Sequence, residues 1–196
     1  MANRKQSLNR DTKETQITVT MDLDGTGATR VSTGSGFFDH MLTLMGRHGF
    51  FDIEIDATGD LEVGCHHTVE DVGIVMGKVL ASVLADKKGI ARYGSAAVPM
   101  DEALARVDLD LSNRSVLVYN VPLARVQVEG FDGGLIEHFF QALVLQSGLT
   151  LHINLEYGKD PHHCFEAVFK AFGRALHNAT RVDPRVKDVL STKGTL

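Results

Sequence analysis

Hydrophobic and polar residues alternate in several short segments of the chain, and a period of two predicts half-buried strands. The segment "TQITVTMDL" places four apolar side chains at alternate positions, namely Ile17, Val19, Met21 and Leu23. The segments "ATRVS" and "FFDIEID" are strand-like for the same reason. The first part of the chain therefore predicts three strands.

Two longer segments show apolar residues three and four positions apart, which is typical of an amphipathic helix. The first is "FFDHMLTLMGRHG", where Gly49 is a plausible helix end. The second runs from His66 to about Leu84. With the strands, the first half has the predicted order β-β-α-β-α.

The second half repeats this order. Its strand-like segments are "ARVDLDL", "SVLVYNV" and "LTLHINLEY", and its helical segments are "LIEHFFQALVLQS" and "HHCFEAVFKAFGRALHNA". Polar residues also coincide, since 138 − 40 = 98 for two histidines and 162 − 66 = 96 for two histidine pairs. Any two α+β halves look alike in their apolar pattern, but the polar coincidences favour an internal duplication.

We therefore predict an α+β fold made of two β-β-α-β-α repeats with pseudo-twofold symmetry. The repeats span about residues 10–92 and 93–190 of one domain covering 1–196. The segment "KKGIARYGSAAVP" between them is predicted to be a loop. No linker rich in Pro, Gly and Ser divides the halves, which favours one compact unit.

Composition and charge argue against some classes of binding partner. The chain is 43% hydrophobic and carries a formal net charge of −5 without a Lys/Arg block, which argues against nucleic-acid or anionic-membrane partners. No apolar run approaches a membrane span, and the N-terminus lacks signal-peptide features, so we expect a cytoplasmic protein. Two cysteines make no disulfide framework.

The phrases "HHTVE" and "HHCFE" carry the candidate chemistry. Residues four apart share a helix face, so His66 with Glu70, and His162 with Glu166, can each chelate one ion. The second histidine of each pair points about 100° away around the helix. We therefore expect each ion to take the His/Glu pair of one repeat and the second histidine of the other.

His40 and His138 then supply one further ligand each. The predicted sets are His66, Glu70, His138 and His163, and His162, Glu166, His40 and His67, with the assignment of His40 and His138 left open. Such imidazole-rich sets suit Mn, Fe, Zn or Ni better than Mg or Ca. A single histidine pair would more often be a solvated helix end, but two pairs in register argue for metal sites.

Longer motifs, including "GFFDHML", "HHTVEDVGI", "PMDEALARVDLDLSNR", "EHFFQAL" and "STKG", closely resemble the imidazoleglycerol-phosphate dehydratase family from about Arg10 to Gly194. The resemblance implies helices packed between two sheets, two manganese ions per active site, and a homo-oligomer of 24 subunits built from trimers. Some relatives carry a fused histidinol-phosphatase domain, for which this chain has no room.

The implied reaction removes water from imidazoleglycerol phosphate to give imidazole acetol phosphate in histidine biosynthesis. A dimetal-bound imidazolate would expel the hydroxyl through a diazafulvene-like intermediate, with Glu14 as general acid/base and Glu70 and Glu166 as catalytic metal ligands. The implied substrate contacts, besides Glu14, are His48, Arg92, Arg114, Ser191 and Lys193, of which the last four match the family's phosphate-binding positions.

Two other interpretations remain open from the residues. A dinuclear metallohydrolase acting on a phosphate ester would use similar ligands, although its metals are normally bridged by carboxylates. A non-enzymatic protein could use the metals to hold subunits together. Glu14 and the cations Arg92, Arg114 and Lys193 discriminate, because a purely structural metal site requires none of them.

Overall fold

The computed structural model describes residues 4–124 and 126–196. The first half contains β1 (Lys5–Asp11), β2 (Thr15–Asp22), β3 (Thr29–Ser32), α1 (Gly36–Gly49), β4 (Asp52–Gly59), a single turn of 3₁₀ helix (Leu61–Val63) and α2 (His66–Leu84). The second half contains β5 (Tyr93–Met100), β6 (Ala103–Asp110), β7 (Val116–Asn120), a small hairpin of β8 (Gln127–Val128) and β9 (Phe131–Asp132), α3 (Leu135–Ser147), β10 (Thr150–Tyr157) and α4 (Pro161–Thr180).

The two halves form four-stranded sheets of the same topology, with orders β1-β2-β4-β3 and β5-β6-β10-β7. The register is also repeated: Ile55 in β4 lies opposite Val19 and Val31, as Ile153 in β10 lies opposite Val107 and Tyr119. The predicted α+β fold of two duplicated units is confirmed.

Each four-stranded sheet has one strand more than the predicted order, and the second half also contains the β8–β9 hairpin. The prediction of a loop for "KKGIARYGSAAVP" is wrong over β5, whose inward positions hold the small residues Gly94, Ala96 and Val98. Gly94 packs so closely on α4 that a Cβ there would overlap the Ala175 carbonyl, so this position cannot carry a larger residue. β1 was missed because it is mostly polar and exposed, with Leu8 as its one apolar residue.

The helices lie between the two sheets. α2 packs on β1, β2 and β4, while α4 packs on β5, β6 and β10. Across the repeats α2 packs on α3 and α1 packs on α4, the pairing that an exchange of the two repeats would preserve. The core between them is rich in fully buried phenylalanines, among them Phe139, Phe140 and Phe169. None of the helices in the described ranges is both long enough and apolar enough to span a bilayer.

Glycines let the paired helices come close. A Cβ on Gly77 in α2 would lie under 3.0 Å from the Leu143 carbonyl oxygen of α3, and one on Gly173 in α4 would meet the Met45 carbonyl oxygen of α1 equally closely. The two contacts are copies of each other, because 173 − 77 = 96 and 143 − 45 = 98. Backbone contact at each helix crossing therefore requires glycine.

Adding one methyl group at either crossing should destabilise the fold. We expect Gly77→Ala and Gly173→Ala each to lower the free energy of unfolding by about 1–3 kcal/mol, because the helices must move apart in a packed core. Urea unfolding followed by circular dichroism measures this. Gly36→Ala, where a Cβ meets nothing within 4 Å, is the matched control. Equal stability of Gly77→Ala and Gly36→Ala would contradict the close-crossing argument.

Candidate metal centres and anion cleft

The packing of α1 on α4 brings His40, His162 and Glu166 together. The Glu166 Oε1 atom lies 2.8 Å from His40 Nε2 and 3.2 Å from His162 Nε2. One ligand atom from each residue lies within 4.8 Å of the other two, the arrangement needed to hold a single ion. Two imidazoles and a carboxylate suit a divalent transition metal and leave coordination positions open.

The start of α4 sets this geometry. The Asp160 side chain caps the helix by accepting a hydrogen bond from His162 N, and Pro161 occupies the first turn. Glu166, one helical turn further on, is buried and hydrogen-bonded by Lys170. Burial would raise the pKa of Glu166, but hydrogen bonds from Lys170 and His40 outweigh it and lower that pKa to about 2. The carboxylate is therefore ionised at neutral pH.

A second cluster forms where α2 packs on α3. His66 Nε2 lies 3.4 Å from Glu70 Oε2, and the His66 and His138 rings are 4.9 Å apart between centroids. The structure thus groups His138 with the first His/Glu pair and His40 with the second. This cluster is more open than the other, since the side chains of His66 and Glu70 are about half exposed.

The second histidine of each pair lies outside both clusters. His67 Nδ1 is 3.0 Å from Asp60 Oδ2, and His163 Nδ1 is 2.8 Å from Glu102 Oε2. These hydrogen bonds are the main cause of the raised pKa of both histidines. Among the described residues, no hydrogen bond, ion pair or ring contact joins His67 to the His162 cluster or His163 to the His66 cluster. The predicted exchange of these histidines between the repeats is not made within this chain.

Glu14 lies in the turn between β1 and β2, and its side chain is 58% exposed. Its carboxylate is 3.9 Å from His67 Nδ1, beyond hydrogen-bond distance. The structure therefore places Glu14 beside the first histidine pair with no side-chain hydrogen bond in the described part of the chain. The turn that holds it is fixed by the backbone, since Asp60 N donates to the Glu14 carbonyl oxygen.

Three carboxylates around the histidines were not predicted from the sequence. Asp60 and Glu102 contact the second histidines, and Glu129 Oε1 lies 3.1 Å from His162 Nδ1. Glu129 belongs to the β8–β9 hairpin, which has no counterpart between β3 and α1. The sequence did contain one signal for Glu102. Equivalent residues of β2 and β6 are 88 positions apart, since 107 − 19 = 88, and 102 − 14 = 88 makes Glu102 the counterpart of Glu14.

The four predicted phosphate contacts lie together. Arg92, Arg114, Ser191 and Lys193 line one cleft of about 1020 Å³ between the β6–β7 connection and the C-terminal segment. Arg185 and Lys187 add two more cations to its wall, and Asp188 contributes one carboxylate. The chain as a whole is acidic, so this local excess of positive charge favours an anionic ligand.

Arg92 and Arg114 have different roles in this wall. The Arg92 guanidinium donates to both oxygens of Asp110, at 2.7 and 3.0 Å, and to the Leu190 carbonyl oxygen. Arg114 donates to the same Asp110 at 3.2 Å, but its side chain is 63% exposed. Asp110 therefore orients both arginines, Arg92 also anchors the C-terminal segment, and Arg114 keeps most of its donors free for a ligand.

His48 and the cysteines lie outside the clusters and the cleft. His48 is half-buried near the end of α1, and burial, followed by the charges of Lys170 and Arg174, lowers its pKa. Its surroundings therefore disfavour the protonated imidazole. Cys164 is buried, and burial raises the pKa of its thiol, which disfavours a thiolate metal ligand.

Comparisons with known proteins identify the family. The family model for imidazoleglycerol-phosphate dehydratase matches residues 33–176. The imidazoleglycerol-phosphate dehydratases of Geobacter sulfurreducens and Acetivibrio thermocellus are each 52% identical over 193 residues, covering 98% of this chain and 99% of the relative.

Solved structures of the same enzyme share the fold. The imidazoleglycerol-phosphate dehydratase of Staphylococcus aureus superposes with a TM-score of 0.82 at 41% identity, covering 91% of this chain and 99% of that one. The Pyrococcus furiosus enzyme also gives 0.82, at 36% identity, covering 96% and 100%. The resemblance stated from the motifs is confirmed: the chain belongs to the imidazoleglycerol-phosphate dehydratase family and is a hydro-lyase.

Proposed function

We propose that this chain converts imidazoleglycerol phosphate to imidazole acetol phosphate in the cytoplasm, as a step of histidine biosynthesis, with two divalent metal ions per active site, Mn²⁺ foremost. The observation that carries the proposal is the presence, on one chain, of two His/Glu clusters and a cation-lined cleft. An imidazole ring and a phosphate group are the two ends of this substrate, and each feature suits one end. Because His162 lies in the first turn of α4 and Arg92 contacts its last turn, the two ends would be held by different copies of the chain.

The side chains of His40, His162 and Glu166 fit a metal ion, since one ligand atom of each lies within 4.8 Å of the other two. We propose that His66, Glu70 and His138, which lie together at the start of α2 and on α3, would hold the other ion. Mixed imidazole and carboxylate donors select Mn, Fe, Zn or Ni over Mg or Ca. Bound there, divalent metals would act as Lewis acids that favour loss of the proton from the substrate imidazole.

Glu14 is proposed as the general acid/base. Its exposed carboxylate lies beside His67 and is not hydrogen-bonded to another side chain of the described residues, so it can accept a proton from the substrate chain and return one. Loss of the hydroxyl from one side-chain carbon and of a proton from the next gives an enol, which becomes the ketone. Glu70 and Glu166 take part as metal ligands.

The cleft is proposed to hold the phosphate. Arg114 and Lys193 would supply charge-assisted hydrogen bonds, Ser191 a hydroxyl, and Arg92 its remaining donors. His48, whose pKa is lowered by burial and by the charge of Lys170, is proposed to contact the substrate chain. We do not expect a phosphate ester to be cleaved, because membership of the family identifies a lyase and not the alternative of a metallohydrolase.

We also propose that the active site is completed between copies of the chain, in a homo-oligomer of 24 subunits built from trimers. His67 and His163 each use Nδ1 within the chain, which leaves Nε2 for a metal held by a neighbouring copy. The incomplete ligand sets of the two clusters support this exchange. Exposed Val63, just before the first histidine pair, is available for such a contact.

Removal of metal should abolish turnover. We expect chelator-treated protein to lose nearly all dehydration of imidazoleglycerol phosphate and to regain it with added Mn²⁺, since the ring cannot be activated otherwise. The assay measures the acetol phosphate product and, in parallel, free phosphate. Undiminished turnover without metal would contradict the proposal, and metal-dependent release of free phosphate would favour the hydrolase.

Variants should group the ligands by cluster. We expect His40→Ala and His162→Ala to weaken one class of metal site, and His66→Ala and His138→Ala the other, each by about 10- to 100-fold or more. The double variant His40→Ala with His162→Ala should still bind the other class, measured by metal analysis and competition with a chelator. His152→Ala, exposed on β10, is the control. Loss of both classes in His40→Ala would contradict the grouping.

Substitutions in the cleft should distinguish phosphate binding from anchoring of the C-terminal segment. We expect Arg114→Ala and Lys193→Ala each to raise KM about 10- to 100-fold, the loss of a charged hydrogen bond, with little change in stability. Arg92→Met should also lower the thermal midpoint, because it releases Asp110 and Leu190. Arg106→Ala, paired with Asp108 on the sheet, is the control. An unchanged KM in Arg114→Ala and Lys193→Ala would place the phosphate elsewhere.

A further inference from the structure

Each second histidine is held at Nδ1 by a carboxylate from outside its own helix. Asp60, which follows β4, contacts His67 through both oxygens at 3.1 and 3.0 Å. Glu102, in the turn between β5 and β6, contacts His163 at 2.8 Å. The same contact therefore occurs once in each repeat, although the two carboxylates come from different positions.

Glu102 also accepts hydrogen bonds from the backbone, in addition to its contact with His163. Its Oε1 atom accepts hydrogen bonds from Lys159 N at 3.1 Å and Asp160 N at 2.8 Å, while Oε2 accepts from His163. Asp160 is the residue that caps α4. One carboxylate thus fixes both the backbone entering α4 and the ring of the second histidine on it.

The chemistry of this contact determines which ring nitrogen carries the proton. An ionised carboxylate can only accept, so the facing Nδ1 must donate, and in a neutral ring Nε2 then keeps its lone pair. Both Glu102 oxygens face donors, Oε1 the backbone N–H groups of Lys159 and Asp160 and Oε2 the His163 ring, so neither oxygen is placed to carry a proton. Metal-binding histidines are commonly oriented in this way by a carboxylate.

Glu102 differs from the equivalent residue of the first repeat. It is the counterpart of Glu14, but Glu14 is 3.9 Å from His67 and is more exposed, at 58% against 36% for Glu102. In the first repeat Asp60 makes the contact with Nδ1 instead. The two equivalent glutamates therefore differ: Glu102 is hydrogen-bonded to His163 and to the backbone, whereas the Glu14 carboxylate makes no side-chain hydrogen bond within the described ranges.

We propose that Glu102 and Asp60 are positioning residues that hold the proton of His163 and His67 on Nδ1 and leave Nε2 free to bind metal, and that Asp60 thereby leaves Glu14 available for the reaction. The metal-binding part of this inference rests on the proposed function. The tautomer of each histidine does not, because it belongs to the metal-free protein.

Glu102→Gln separates orientation of the ring from support of the helix. The two backbone donors require the amide oxygen to face Lys159 and Asp160, so the amide NH₂ must face His163. That group donates to Nδ1 and moves the imidazole proton to Nε2. We therefore expect a folded protein with a thermal midpoint near the parent value but with the opposite tautomer at His163.

Two measurements test this. Nitrogen-15 NMR of the metal-free protein at alkaline pH, with the His163 signal identified by its absence in His163→Gln, should show the proton on Nδ1 in the parent and on Nε2 in Glu102→Gln. The absorption spectrum of the cobalt-substituted protein should change, and the affinity of one class of metal site should fall about 10- to 100-fold. Glu156→Gln, exposed on β10, should match the parent in every measurement.

The outcomes are distinguishable. A parent protein with the His163 proton on Nε2 overturns the inference, and this result requires no Glu102 variant to fold. A folded Glu102→Gln with parental metal affinity and cobalt spectrum also overturns it, while leaving the proposed function intact. A parent that binds no metal overturns the proposed function, and the tautomer measurement then still decides the role of Glu102.

Discussion

The contact on which the arrangement depends is the backbone approach of paired helices at Gly77 and Gly173. Side chains elsewhere in the core could be exchanged for others of similar volume, but a carbonyl oxygen facing a missing Cβ tolerates no larger residue. Because these crossings pair α1 with α4 and α2 with α3, they also bring His40 to Glu166 and His138 to His66. The packing that stabilises the fold is thus the packing that assembles each cluster.

Duplication explains the symmetry of the clusters, and small changes between the copies explain their differences. Equivalent residues of the two repeats are 88 positions apart in β2 and β6 but 98 positions apart in β4 and β10, since 153 − 55 = 98. The ten extra residues of the second repeat include the β8–β9 hairpin. That hairpin places Glu129 on His162 and packs Phe131 against Phe37. In the His162 cluster the glutamate is consequently buried, whereas both His66 and Glu70 are about half exposed.

Much of the fold could be predicted from the sequence because its strongest elements show clear periodicity. β1 and β5 could not, since one is a polar edge strand and the other carries small residues against α4. Helical spacing identified the His/Glu pairs, but grouping His40 and His138 required knowing which helices meet. Asp60 and Glu129 could not be found by spacing, because their contacts depend on turns. Glu102 stands at the repeat offset from Glu14, but its contact with His163 could be known only from the structure.

The anchoring of the C-terminal segment by Arg92 has an entropic consequence. Leu190, whose carbonyl oxygen Arg92 holds, directly precedes Ser191 and lies three residues before Lys193. An untethered tail would lose conformational freedom when its donors closed on an anion, and this loss would subtract from affinity. Because the guanidinium already restrains the chain one residue before Ser191, this loss is smaller than for an untethered tail. Arg92, which itself lines the cleft, thus preorganises the segment that carries Ser191 and Lys193.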